Sequence, residues 1–141
     1  MANIVYTSVS LLNGRMMFKG NAGDNPEIIT DYIPPIGDGK GYMPLELFLL
    51  SLSSCLGGAL SALLRKTGKG ITALSIEAEG VRREQHPTSF ESITLDIRVT
   101  SPDVTEADVK KAVDISEASI CPVWAMIKGN VEVRTNITVE N

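Results

Sequence analysis

One apolar segment constrains the fold more than any other feature of the chain. It runs from Leu45 to Lys66 without a proline and follows Pro44. Proline is favoured at the first position of a helix, where its missing N–H costs nothing. Arg65 in the last turn and Gly68 just beyond it mark the end of the helix. Because the segment is apolar almost all round, we expect a long central helix that the rest of the protein buries.

The same segment has an alternative interpretation, since about twenty apolar residues suffice to span a bilayer. Ser53, Ser54 and Gly57 lower its apolarity, and Glu46 lies inside one end. A buried core helix is therefore favoured, and we expect no membrane partner. The net charge of -4 and the pI of about 5.0 argue against nucleic acid as a partner, because binding to nucleic acid requires a basic surface.

Patterns on either side of this helix predict a single α+β domain over residues 1–141. Asn13-Gly14 between two short apolar runs predicts an N-terminal hairpin. The proline- and glycine-rich stretch 34–41 predicts the most mobile loop. The other predicted elements are strands at 27–32, 71–83 and 90–100, a helix capped by Thr105, a short helix from Pro122 to Gly129 and a last strand at 131–139.

The two cysteines occupy different settings. Cys55 lies in the apolar helix, on a stripe of small residues including Ser51 and Gly58 that would let another helix approach closely. Cys121 precedes Pro122, which places it at the N-cap of the short helix. Unpaired backbone N–H groups and the helix dipole lower a thiol pKa there, so the cap alone favours Cys121 as the more acidic thiol.

Each of these residues also has a structural interpretation. A buried cysteine is often only a small hydrophobic residue. As a pair, however, Cys55 and Cys121 suit an attacking and a resolving thiol, which require a cation nearby. Arg15 after the hairpin turn and Glu46 near the helix start are the charged candidates. A lone arginine on a strand is usually only solvated, and a carboxylate near a helix start also complements the helix dipole. With His86 as the only histidine, we expect neither a metal nor a cofactor.

The first six residues have neither the basic nor the apolar region of a secretory signal. Two cysteines without such a signal suit the reducing cytosol, where a disulfide is more often catalytic than structural. We therefore expect a cytoplasmic protein.

The segment from Pro44 to Gly58, with its cysteine in register, resembles the OsmC/Ohr family. Glu84-Gln85-His86-Pro87 before a strand, and Ser116-Glu117 leading to Cys121-Pro122-Val123, follow in the same order, so the resemblance extends over nearly the whole chain. It implies an α+β fold built as an intertwined homodimer, whose two long cysteine-bearing helices are wrapped by antiparallel sheets. The family's glutamate position falls on Leu45, one residue before Glu46, and Pro-x-Glu-Leu is similar to the OsmC-like branch.

The resemblance also implies a thiol-dependent reductase of organic hydroperoxides that acts in oxidative-stress defence. Cys55 would attack the peroxide, Cys121 would resolve it as an intramolecular disulfide, Arg15 would stabilise the thiolate and Glu46 would hold the arginine. The helix cap favours Cys121 for attack and the family favours Cys55; we follow the family. A dithiol reductant, of the lipoyl type, would regenerate the enzyme. Two alternatives stay open: a dimeric binding protein for a small thiol or acyl-carrier ligand, and a dimer whose cysteines only pack the core.

Overall fold

The computed structural model describes residues 3–141, so the first two residues of the predicted domain lie outside the described residues. The chain divides into two compact units, Met1–Phe48 and Leu49–Asn141, and each is described by itself. The predicted α+β class is confirmed. The elements in chain order are β1 (Ser8–Leu11), β2 (Phe18–Asn21), β3 (Ile28–Thr30), α1 (Pro44–Lys66), β4 (Ala73–Arg82), β5 (Phe90–Thr100), α2 (Glu106–Ile115), a π turn (Ser116–Ile120), α3 (Pro122–Ile127) and β6 (Glu132–Glu140).

The first unit contains an antiparallel sheet in the order β1-β2-β3. Its hairpin is confirmed, but the connection is residues 12–17 rather than a two-residue Asn-Gly turn. The reason is the Asn13 side chain, whose Oδ1 accepts the N–H groups of Arg15 at 3.0 Å and Met17 at 3.2 Å. Such local side-chain bonds compete with the tight turn. Arg15 consequently lies in a loop.

The second unit contains a sheet in the order β4-β5-β6. β4 and β5 are antiparallel, whereas β5 and β6 are parallel. The sheet is therefore mixed, and the expectation of wholly antiparallel sheets was wrong for this one. The parallel pairing of β5 and β6 arises from their connection, because the chain passes through α2, the π turn and α3 before it returns as β6. A parallel neighbour requires such a crossover, whereas antiparallel strands need only a short turn.

Apolar side chains on one face of this sheet line up across the strands. One row joins Ile76, Ile97 and Ile137, and the flanking rows are similar. Every second residue of the central strand β5 lies on this face, and two of them, Leu95 and Ile97, are fully buried. Gly80 is required at one edge, because a Cβ there would collide with the Phe90 ring.

Helix α1 is buried on one face only. Its buried residues recur at helical spacing and are Leu52, Leu56, Ala59, Leu60 and Leu64. The stripe of small residues is different, since Ser51, Gly58 and Ala62 are exposed and Cys55 is half-buried. The expectation that the helix is buried all round was therefore wrong for a single chain. Within residues 3–141, α1 is the one helix whose length and hydropathy would allow it to cross a membrane, a weak criterion that core helices also meet.

The start of α2 follows the predicted capping pattern. The Thr105 side chain accepts the Asp108 N–H at 3.1 Å, and the Asp108 carboxylate accepts the Thr105 N–H at 2.9 Å. Lys69 donates to the same carboxylate at 2.6 Å. The Lys69 hydrogen bond, followed by those from Thr105, lowers the pKa of Asp108 to about 2.

Candidate two-thiol site

The two cysteines of the chain meet in the second unit. The Cys121 Sγ donates to the Cys55 Sγ at 2.9 Å, and no bond joins the two sulfurs. Cys55 comes from the middle of α1 and is half-buried, while Cys121 directly precedes α3 and is 2% exposed. A covalent disulfide has a sulfur–sulfur distance of about 2.0 Å. The two sulfurs are therefore unbonded in the structure and lie close to the separation of a disulfide.

Cys121 has the N-cap position that the Cys-Pro pair predicts, but its thiol is not activated there. Burial, and then the adjacent Cys55 sulfur, raise the pKa of Cys121. The backbone N–H groups of Trp124 and Val123 pull the pKa the other way, and neither makes a cap hydrogen bond of good geometry. The prediction that the helix cap makes Cys121 the more acidic thiol was wrong, because desolvation outweighs the first turn of so short a helix.

An open cavity of about 360 Å³ lies beside Cys121. Glu117, Ile120 and Ala125 contribute to its walls. A second groove, of about 590 Å³, lies between α1 and β4 and is lined by Ser53, Ser54 and other residues that do not include either cysteine. Of these two cavities, only the smaller one has a cysteine, Cys121, in its lining.

Arg15 belongs to the first unit, where a loop of the same unit holds its guanidinium. It donates to the Asp38 carboxylate, to the Pro35 carbonyl and, at 3.2 Å, to the Gly37 carbonyl. Its ionic partner is therefore Asp38 and not Glu46. Asp38 was missed in the sequence, because an aspartate between two glycines reads only as a turn residue.

The loop around Arg15 is organised by a second carboxylate, that of Asp31, which is 1% exposed. It accepts backbone N–H groups from Tyr32 at 2.8 Å, Lys40 at 3.1 Å and Asp38 at 3.3 Å. Burial alone would raise the pKa of Asp31, but these three donors and the charge of Arg15 together hold the pKa below its ordinary value. The stretch that was predicted to be the most mobile loop is thus tied to a buried anion.

Glu46 lies in the first turn of α1, where it has a structural partner. Its Oε1 accepts the N–H of Met43, the residue before the helix, at 2.8 Å. This is one half of a capping box, in which the third helical residue reaches back to the N-cap. In the single chain the structure does not bring Glu46 and Arg15 together, because Glu46 accepts from Met43 and Arg15 is paired with Asp38.

No group of three or more histidine, cysteine, aspartate or glutamate side chains in the described part of the chain is arranged to hold a metal ion. A cysteine in a long helix that meets a second cysteine ahead of a short helix, beside a mixed sheet, defines a two-thiol α+β protein.

Comparison with known proteins places this class more narrowly. The family model described as OsmC-like protein matches residues 37–136. Protein YhfA of Escherichia coli (strain K12) is 28% identical over 118 residues, which are 84% of this chain and 86% of YhfA. A hypothetical protein from Aquifex aeolicus VF5 is 26% identical, with a TM-score of 0.85 over 99% of this chain and 100% of that chain.

An organic hydroperoxide resistance protein OsmC from Legionella pneumophila is 16% identical and has a TM-score of 0.77 over 99% of each chain, which shows a shared fold. Because the family model covers well over half of the sequence, the chain belongs to the OsmC-like family. The resemblance seen in the sequence is confirmed.

Proposed function

We propose that the protein is a cysteine-based peroxidase that reduces organic hydroperoxides. The observation that carries this proposal is the contact of 2.9 Å between a half-buried Cys55 and a buried Cys121 that donates its S–H to it. A donor beside a sulfur stabilises negative charge on that sulfur. Solved structures with the same fold include proteins named for organic hydroperoxide resistance, which favours the same chemistry here.

The reaction divides into two balanced steps. In the first, the Cys55 thiolate attacks one oxygen of the peroxide, the O–O bond breaks, and the alkoxide takes up a proton and leaves as an alcohol. Cys55 is then a sulfenic acid. In the second, the Cys121 sulfur attacks the Cys55 sulfur, and the hydroxyl leaves as water with the proton of Cys121. The product is a Cys55–Cys121 disulfide.

The raised pKa of Cys121 fits the resolving role. A thiol that stays protonated does not compete for the peroxide, because the thiolate is the nucleophile. We propose that Arg15 supplies the cation that stabilises the Cys55 thiolate, with Asp38 as its carboxylate partner. Glu46 in this account serves α1 itself, by capping the helix that carries Cys55.

We further propose that the protein works as a cytoplasmic homodimer and that a dithiol reductant, such as a lipoyl group, reopens the disulfide. Support for the dimer comes from apolar side chains that a single chain leaves in solvent. Val9 is 65% exposed, Leu11 54% and Leu50 on α1 54%. A second copy would cover such surfaces, which are large for an isolated soluble chain.

A binding protein for a small thiol or acyl-carrier ligand is the second candidate function. The groove of about 590 Å³ between α1 and β4 favours it, since its lining mixes serine hydroxyls with apolar side chains and does not include the sulfurs. In that case the cysteines would sense the redox state at most, and a ligand would copurify with the native protein.

The two candidates are separated by counting free thiols by mass spectrometry before and after one equivalent of cumene hydroperoxide. For a peroxidase we expect the wild type to lose both thiols to a Cys55–Cys121 disulfide. Cys121→Ser should stop at a Cys55 sulfenic acid, which dimedone traps, and Cys55→Ser should not react. Survival of both thiols in the wild type would exclude the peroxidase and leave the binding protein.

A further inference from the structure

The helix that leads to Cys121 changes its pitch just before the cysteine. After α2, the π turn Ser116–Ile120 is closed by a hydrogen bond from the Cys121 N–H to the Ser116 carbonyl at 2.8 Å. Single π turns of this kind are rare and are found frequently at functional sites. Each residue of an α-helix turns by about 100°, so one extra residue in a turn redirects the side chain that follows it.

Ser116 is the residue on which this turn depends. It is 0% exposed, and its Oγ donates to the Ala112 carbonyl at 2.7 Å. A serine that bonds back to the preceding turn bends the helix locally. The same residue therefore has its side chain fixed to α2 and its carbonyl fixed to the backbone of Cys121. No other role for its buried hydroxyl follows from the proposed function.

Ser119 lies in the same turn and provides a contrast. Its Oγ also donates to a carbonyl of the preceding turn, that of Ile115, at 3.2 Å. Ser119 is exposed, so water can replace its bond, and its backbone makes no hydrogen bond to Cys121. The two serines differ in burial and in their connection to the cysteine.

We propose that Ser116 is a positioning residue that sets the Cys121 sulfur for attack on an oxidised Cys55. This inference rests on the proposed function, because it assumes that the pair cycles between dithiol and disulfide. The sulfurs must close from 2.9 Å to about 2.0 Å with a defined dihedral angle. A misplacement of about 1 Å can lower the rate of such a step by about a hundredfold. The π turn gives the backbone of Cys121 a single anchored position from which this closure starts.

The closing step can be measured without a peroxide, using the aromatic disulfide DTNB as the oxidant. The Cys55 thiolate attacks DTNB and releases one thionitrobenzoate, which leaves a mixed disulfide on Cys55. The Cys121 sulfur then attacks the Cys55 sulfur, loses its proton and releases the second thionitrobenzoate. The first release reports the reactivity of Cys55 and the second reports the placement of Cys121. Cys121→Ser, which should give only the first release, assigns the phases.

For Ser116→Ala we expect the second release to slow by about tenfold or more while the first keeps its wild-type rate. Ser119→Ala is the matched control and should keep both rates within about twofold. Ser116→Thr retains the hydroxyl and should restore most of the closing rate. A merely structural role would change thermal stability alone and leave the ratio of the two phases as it is.

A wild-type second phase in folded Ser116→Ala would overturn the inference. A slow second phase in Ser116→Thr that keeps the hydroxyl hydrogen bond would also overturn it. If Ser116→Ala does not fold, the inference is tested with Ser116→Thr instead. The proposed peroxidase fails separately: a wild type that ignores cumene hydroperoxide but completes both DTNB phases contradicts the peroxidase and leaves the role of Ser116 measurable.

Discussion

The thiol pair and the Arg15 loop are held in place by different physical means. Cys55 and Cys121 are 66 residues apart in sequence, and their contact depends on the apolar packing of α1 and on the π turn. Arg15 lies in a loop whose partners are carbonyls and carboxylates within one short stretch, and Asp31 anchors that stretch through backbone N–H groups. The thiol pair depends on the packing of buried apolar side chains. The Arg15 loop depends on hydrogen bonds and on close backbone packing without steric overlap.

This difference predicts how each region fails. Removing buried methyl groups should damage the region around the thiols, because a cavity in a packed core is costly at any pH. The Arg15 loop should instead respond to added atoms where the backbone is crowded and to protonation of its anchoring carboxylate. Variants of each kind test whether the two regions are as different as their contacts indicate.

The largest effect is expected for Leu56→Ala, which removes a 0% exposed side chain beside Cys55. Large-to-small substitutions of this kind cost about 2–5 kcal/mol. We expect the free energy of unfolding, measured with urea, to fall by that amount. A fall of less than about 1 kcal/mol would show that the leucine face of α1 is not the packed core of this unit.

Leu50→Ala is the matched control on the same helix, since Leu50 is 54% exposed in the single chain. In a monomer it should cost less than about 0.5 kcal/mol. In the proposed homodimer it should cost more, and the cost should depend on protein concentration, because subunit association contributes to the stability of an oligomer. The pair of variants therefore tests the dimer as well as the core.

A smaller effect is expected for Gly37→Ala in the Arg15 loop. A Cβ at this position would collide with the Tyr32 carbonyl and the Asp31 carboxylate. Overpacking against backbone atoms costs about 1–3 kcal/mol, and urea denaturation should show a loss in that range. Gly14→Ala is the control, because a Cβ there meets nothing within 4 Å and its φ is not positive. Equal losses for the two would mean that the loop is not crowded.

The sequence predicts the elements of the second unit that depend on apolar periodicity or on a local capping pattern. Apolar periodicity is a strong signal. The sequence therefore predicted the ends of α1 at Pro44 and Lys66 and those of β5 at Phe90 and Thr100, as observed. The capping of α2 by Thr105 was also predicted, since a capping box is a local pattern. Membership of the OsmC-like family followed from the same segments.

Features that depend on three-dimensional partners were not predicted. Nothing in the local sequence distinguishes Asp31 or Asp38 from other aspartates. Their roles follow from which N–H groups and which guanidinium reach them. The parallel pairing of β5 and β6 depends on the crossover and not on the strand pattern. The π turn Ser116–Ile120 was not predicted, because one inserted residue has no signature in hydrophobic spacing.

Acid should weaken the Arg15 loop through Asp31. The folded protein holds the pKa of Asp31 below its ordinary value of 3.8, so the folded state binds fewer protons than the unfolded chain. The stabilisation is therefore complete above that value and is lost as pH falls through the folded pKa. We expect the difference in unfolding free energy between wild type and Asp31→Asn to shrink on acidification. Asp24→Asn, an exposed turn position, is the control, and a difference that does not change with pH would contradict the role of Asp31.

The smallest effect is expected for Lys69→Met, which tests whether the second unit is as insensitive to acid as its apolar core indicates. Lys69 is the main cause of the pKa of about 2 at Asp108, so the pair stabilises the fold above pH 3.8 and loses this contribution between 3.8 and about 2. Removing Lys69 should flatten the fall in unfolding free energy between pH 3.8 and about 2. Added salt should weaken the wild-type effect, because both side chains are about one-third exposed.

Lys110→Met is the control. It breaks the Lys110–Asp114 pair, whose side chains are 61% and 57% exposed, and should change the pH profile less. If Lys110→Met flattens the pH profile of the unfolding free energy as much as Lys69→Met does, the Lys69–Asp108 pair stabilises this unit no more than an exposed ion pair.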